Sequence, residues 1–123
     1  MTETTISKQI RLALNRTNRV RLLDNEVGFA SHERVRYGLG NGSPDLVGVL
    51  RCGRVFCIEV KTPRAYRTPD HGCSADQLAW WRAAPLWGVL GGIADSVERA
   101  LELLEAAEIV AEAEAKQHWG VPA

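Results

Sequence analysis

Leu46-Val47-Gly48-Val49-Leu50-Arg51-Cys52-Gly53-Arg54-Val55-Phe56-Cys57-Ile58-Glu59-Val60-Lys61 is the stretch that decides the fold. Two β-rich runs, Leu46–Leu50 and Arg54–Val60, flank a short connection through Arg51, Cys52 and Gly53, so the stretch predicts a β-hairpin. Side chains alternate across a strand. Glu59 and Lys61 therefore project to one face, while Phe56, Ile58 and Val60 project to the other and read as core. A glutamate beside a lysine can be an ordinary surface ion pair, which contributes little. Asp45 changes that reading, because it stands at the head of the first strand, directly after Pro44. A three-residue loop with Gly53 in the left-handed conformation sets Asp45 opposite Glu59. A two-residue loop sets it opposite Val60 and on the wrong face. Two carboxylates at close range repel unless a cation neutralises them. A hard divalent ion does so, Mg²⁺ with Mn²⁺ as its substitute, and the Val60 backbone carbonyl is a further candidate ligand. Lys61 is then free to orient or help deprotonate a water and to stabilise charge on a phosphate.

Outward from the hairpin, Ile6, Ile10, Ala13 and Leu14 recur at helical spacing, which predicts a helix from Thr2 to about Asn15. Val20–Leu23 is a short strand candidate. Residues 24–43 carry Gly28, Gly38, Gly40 and Gly42 as turn markers. Residues 62–73 read as a proline-bearing loop, and Ser74 opens a helix to about Ala83, with Gln77 placed to close a capping box. Trp87–Ala94 reads as a buried strand. Asp95 or Ser96 caps a long helix to about Lys116, with Val97, Leu101 and Leu104 inward. Trp80, Trp81 and Trp87 read as core or interface residues. The order α, β, β, β, α, β, α predicts an α/β layer architecture: a central mixed sheet flanked by helices. The 123 residues allow one domain, whose residues 105–123 form an acidic, Ala/Glu-rich helical extension.

Apolar residues at 46% and charged residues at 24% are ordinary for a globular chain and argue against disorder. The longest apolar stretch, Ala83–Ala94, is too short for a membrane span, and the N-terminal MTETTISKQI has no secretory pattern. Cys52, Cys57 and Cys73 form no CxxC pair and are odd in number, which suits reduced thiols in a cytoplasmic setting. The net charge of zero hides an asymmetry. Residues 1–67 hold twelve Lys/Arg against six Asp/Glu, and residues 68–123 hold three against nine. The basic half suits a polyanion. Its candidate nucleic-acid contacts are Lys8 and Arg11 on the first helix, Arg34 and Arg36 in the glycine-rich stretch, and Arg64, Tyr66 and Arg67 in the loop after Lys61. The acidic half ends in Glu98, Glu102, Glu105, Glu108, Glu112 and Glu114, a surface expected to lie away from that polyanion or to be neutralised by a second protomer.

Pro44-Asp45 followed by Glu59-Val60-Lys61 is a PD-(D/E)xK pattern. Gly42-Ser43-Pro44-Asp45-Leu46-Val47-Gly48, Gly53–Lys61, Ser74-Ala75-Asp76-Gln77 and Gly91-Gly92-Ile93-Ala94 occur in that order. Together these blocks resemble the VRR-NUC (virus-type replication-repair nuclease) family of the restriction-endonuclease-like superfamily, over about residues 3–104. The resemblance implies a restriction-endonuclease-like fold and an Mg²⁺-dependent DNA endonuclease. It further implies a homodimer acting on branched DNA such as four-way junctions. It carries Asp45 and Glu59 over as metal ligands, Lys61 as the catalytic lysine, Gln77 as a conserved helix position and Glu3 as an N-terminal acidic ligand. Read from the residues alone, Glu3 also falls on the Ile6/Ile10 face, or else it complements the helix dipole. Gln77 serves the capping box, the site, or both. The competing function class is a catalytically idle nucleic-acid-binding or assembly module that keeps the nuclease fold.

Overall fold

The computed structural model describes residues 1–23, 28–29, 36–37 and 42–119, with the backbone alone for 28–29, 36–37 and 118–119. Helix α1 spans Glu3–Thr17. Thr2 caps it by accepting the Thr5 amide at 3.2 Å, and Asn18 ends it in the left-handed conformation. Strand β1 follows at Val20–Leu23. The two-residue strands β2 (Gly28–Phe29) and β3 (Arg36–Tyr37) pair with each other in a second, two-stranded sheet. Strands β4 (Leu46–Leu50) and β5 (Val55–Val60) form the expected hairpin. The chain then makes a four-residue helix α2 (Pro63–Tyr66), helix α3 (Ala75–Ala83), a 3₁₀ turn (Ala84–Trp87), strand β6 (Leu90–Ala94) and helix α4 (Val97–Trp119).

The main sheet is open and mixed, in the order β1-β4-β5-β6, with only the β5–β6 pair parallel. A parallel pair needs a crossover, and residues 61–89 supply it. Leu46 lies opposite Ile58 and Gly48 opposite Phe56. This register turns Leu46, Phe56, Ile58 and Val60 into one core with Ile6, Ile10 and Leu14 of α1 and Ala94, Ala100, Leu104 and Ala107 around α4. Ile10, Leu14 and Leu104 are fully buried, each contributing roughly 1.5–3 kcal/mol of transfer free energy. The protein is thus an α/β fold with a four-stranded mixed sheet and flanking helices.

Three expectations need correction. The strand near Trp87 starts at Leu90 instead. Pro85 presets a helical φ, and Gly88 at φ +77° ends the turn, so residues 84–87 coil before the chain extends. Trp87 is consequently 84% exposed and outside the core. The 62–73 segment is also more regular than a plain loop. Thr62 caps α2 by accepting the Ala65 amide, with Pro63 at its first turn. Beyond Leu104, Ala107 and Ala111 continue the buried stripe of α4, so small residues extend its contact with the core, while Ile109 and Val110 face outward. Among the described residues, no helix is long and apolar enough to cross a membrane.

Candidate metal centre

The hairpin loop fixes the site. The Leu50 amide donates to the Arg54 carbonyl and the Gly53 amide to the Leu50 carbonyl, both at 2.9 Å, and Gly53 takes φ +92°. This is the three-residue connection, so the register continues to set Asp45 against Glu59, on the face shared by Val47 and Cys57. Asp45 Oδ2 accepts the Val60 amide at 2.7 Å, which ties the start of β4 to the end of β5. Asp45 thus engages the Val60 N–H, a different group from the carbonyl expected as a metal ligand.

Glu3, from the first turn of α1, completes a trio. Carboxylate oxygens of Glu3, Asp45 and Glu59 all lie within 4.8 Å of one another. Glu59 is buried, whereas Glu3 and Asp45 are exposed, so the cluster opens to solvent on one side. A shallow cleft there is lined by Glu3, Thr4, Ser7, Lys8 and Asp45.

The cation and amide of the site come from the other side. Lys61 is buried, and its Nζ donates to Gln77 Oε1 at 2.9 Å and stands 3.8 Å from Glu59 Oε2. Gln77 Nε2 approaches Glu59 Oε2 at 3.3 Å. Gln77 Oε1 also accepts the Ser74 amide, while Ser74 Oγ accepts the Gln77 amide, so the capping box is complete. Gln77 thus closes the capping box and bonds Lys61 and Glu59 with the same side chain.

The three carboxyls perturb one another. Burial pushes the Glu59 carboxyl up to about 9, with a side-chain hydrogen bond to Asp45 and the Asp45 charge adding to the shift and Lys61 opposing it. Glu3 is raised by burial, then by Asp45, against the lowering effect of Lys61. With Glu59 ionised, no donor among the described residues reaches its buried Oε1. A buried polar atom left unpaired costs free energy, and an acidic trio with one such oxygen suits a hard divalent cation.

The expected nucleic-acid contacts separate. Lys8 lines the cleft beside Asp45, whereas Arg11 is half-buried farther along α1 and outside the lining. Arg64 and Arg67 are exposed on and just after α2. The Tyr66 ring is already engaged by the protein. His71 stacks on it at a centroid distance of 4.3 Å, and the Arg99 guanidinium lies 4.4 Å from its centroid. Arg99 in turn pairs with Asp95 at 3.1 Å, and its contact with Tyr66 ties the 62–73 segment to α4. Arg36 lies in β3, and Arg34 falls outside the described residues. Sequence reasoning missed Thr4 and Ser7 in the cleft wall. Ser7 follows Glu3 by one helical turn, and that spacing was the available signal. It also missed Arg99, which no local pattern links to Tyr66. Searched against protein-family models, curated proteins and solved structures, the chain finds no match.

Proposed function

We propose that this chain is an Mg²⁺-dependent DNA endonuclease with a restriction-endonuclease-like fold of the VRR-NUC type, acting on branched DNA such as four-way junctions. The observation that carries this reading is the Glu3–Asp45–Glu59 trio beside Lys61, with one buried Glu59 oxygen unpaired. Asp45, Glu59 and Glu3 would hold the ion, with the Val60 carbonyl as a further candidate. When bound, Mg²⁺ supplies Lewis-acid polarisation of the scissile phosphate and acidification of a water.

The chain's own residues do the rest. Lys61 places a positive charge within reach of a phosphate oxygen at the cluster and can orient the attacking water. Gln77 receives the Lys61 ammonium and so limits its swing, keeping the charge beside Glu59. Lys8 on one side of the cleft, with Arg64 and Arg67 exposed after Lys61, supplies cations for backbone phosphates. The anchoring of Tyr66 by His71 and Arg99 makes the arginine-bearing segment a firm wall instead of a stacking platform. Exposed Leu86, Trp87, Ile109 and Val110 supply apolar surface for a homodimer, whose two-fold symmetry fits a four-way junction.

Cleavage mapping on end-labelled duplex, flap, fork, splayed-arm and four-way DNA, with Mg²⁺, Mn²⁺ or chelator, tests the proposal. Metal-dependent cuts at the branch support it. Junction binding with no cutting under any metal assigns the protein to the idle binding class instead. Light scattering on the same samples tests the dimer, which a 13.6 kDa monomer that still cuts junctions would exclude.

A further inference from the structure

Gly42 lies three residues before Asp45, with φ +77°, a conformation that L side chains rarely adopt. Its surroundings are tighter than its turn alone requires. A Cβ built on Gly42 would stand 2.7 Å from the Gln77 amide nitrogen and closer still to the Asp76 carbonyl. These are backbone atoms of the first turn of α3, which cannot swing aside as the tip of a long side chain can. The loop that delivers Asp45 is therefore pressed directly onto the turn that delivers Gln77. Asp45 is bound to the Val60 amide, and Gln77 is bound to Lys61 and Glu59. One backbone contact thus joins both halves of the site.

We propose that Gly42 is a positioning residue. By having no side chain it lets the Asp45 loop and the α3 first turn close on each other, which sets the Gln77–Lys61–Glu59 array against Asp45. The inference about metal rests on the function proposed above, whereas the inference about the array does not. Any side chain at Gly42 pushes the α3 turn outward by a few tenths of an ångström or more. Gln77 then moves away from Lys61 and Glu59, and the Asp45–Glu59 spacing loosens. Gly53 provides the internal control. It has φ +92°, so it carries the same left-handed strain on substitution, but a Cβ there meets nothing within 4 Å.

The test compares Gly42→Ala with Gly53→Ala in the full chain, using two readouts. The first is the NMR position of the Gln77 side-chain amide without metal. The second is Mn²⁺ affinity by calorimetry. The expected result is a displaced Gln77 resonance and Mn²⁺ binding weakened ~10-fold or more in Gly42→Ala, the scale of losing a residue that orients metal ligands. Gly53→Ala should match the wild type in both. Unchanged Gln77 resonances or unchanged Mn²⁺ affinity in a folded Gly42→Ala protein overturns the proposal. Equal changes in Gly53→Ala do so too, because they would trace to backbone strain alone. If the wild type binds no Mn²⁺, the metal-centre reading fails and the Gln77 resonance alone decides the role of Gly42. If Gly42→Ala does not fold, native-state hydrogen exchange on the wild type decides. The amides of Gly42, Ser43 and Asp45 should open together with those of Asp76 and Gln77, and separate opening overturns the proposal.

Discussion

The two ends of the β4–β5 hairpin carry charge in opposite ways. At the loop end, Arg54 donates to the Gly88 carbonyl at 2.7 and 2.9 Å and pairs with Glu114. Arg19 pairs with Glu108, with Nε at 3.0 and 3.1 Å from its two oxygens, and Arg51 caps the Asn18 carbonyl at 3.0 Å. Two glutamates of the acidic α4 are thus neutralised within the chain, far along the strands from Asp45. At the open end, the Glu3, Asp45 and Glu59 carboxyls cluster beside buried Lys61, with Lys8 in the cleft wall, and Glu59, the most buried of the three, has an oxygen that no donor reaches among the described residues. Proteins tolerate such local inconsistency mainly where it serves function. The loop end thus pairs its arginines with α4 glutamates, whereas the open end gathers carboxyls from three separate elements. Under the proposed function, a divalent cation would complete the open end.

The sharpest break in the contrast should come from the open end. Asp45→Asn or Glu59→Gln should lower Mg²⁺-dependent cleavage by roughly 10⁴-fold or more, the scale of losing an essential catalytic group. Circular dichroism should show an intact fold, since asparagine keeps an oxygen for the Val60 amide. Next, Lys61→Ala should lower the single-turnover rate by about 10²–10³-fold while leaving Mn²⁺ affinity near wild type. Weakened DNA binding with an unchanged rate would make Lys61 a phosphate clamp instead.

Stability should respond more modestly. The Glu59 carboxyl is raised from 4.5 to about 9 in the folded, metal-free protein. The folded state then holds a proton that the unfolded state releases, so this contribution is full below pH 4.5 and is lost as pH rises toward 9. Metal-free wild type should therefore melt lower at pH 8.5 than at pH 5. Glu59→Gln should flatten that dependence and be the more stable protein at pH 8.5, by about 1–3 kcal/mol, the cost of an unsatisfied buried group. Thermal melts in chelator across this range check it. The smallest effect belongs to the loop end. Glu108→Ala and Glu114→Ala should each cost no more than ~1 kcal/mol and leave cleavage unchanged, since both glutamates are solvent-accessible and half-buried Arg54 keeps its bonds to the Gly88 carbonyl.

The legible part of this molecule was the part that local periodicity and turn geometry determine. Gly53 and the three-residue loop placed Asp45 opposite Glu59, helical spacing put Glu3 near the Ile6/Ile10 stripe, and the Ser74–Gln77 spacing gave the capping box. The illegible part depends on contacts between distant segments. Nothing local says that Gly42 must meet Asp76, that Arg99 reaches Tyr66, or that Arg19 finds Glu108. Trp87 was misplaced because an apolar run reads as buried strand, while Pro85 and Gly88, both visible in the sequence, enforce a turn. Nor does any local pattern say that the Val60 amide donates to Asp45.

Calorimetric titration of the metal-free protein with Mn²⁺ at pH 7, repeated in buffers of different ionisation enthalpy, tests the central claim most directly. Metal ligands must shed their protons, and Glu59 is protonated at that pH when metal is absent. The expected result is saturable binding that releases about one proton, tightens as pH rises toward 9, and disappears in Glu59→Gln. No saturable heat, or equal binding by Glu59→Gln without proton release, would contradict the reading of Glu3, Asp45 and Glu59 as a metal centre.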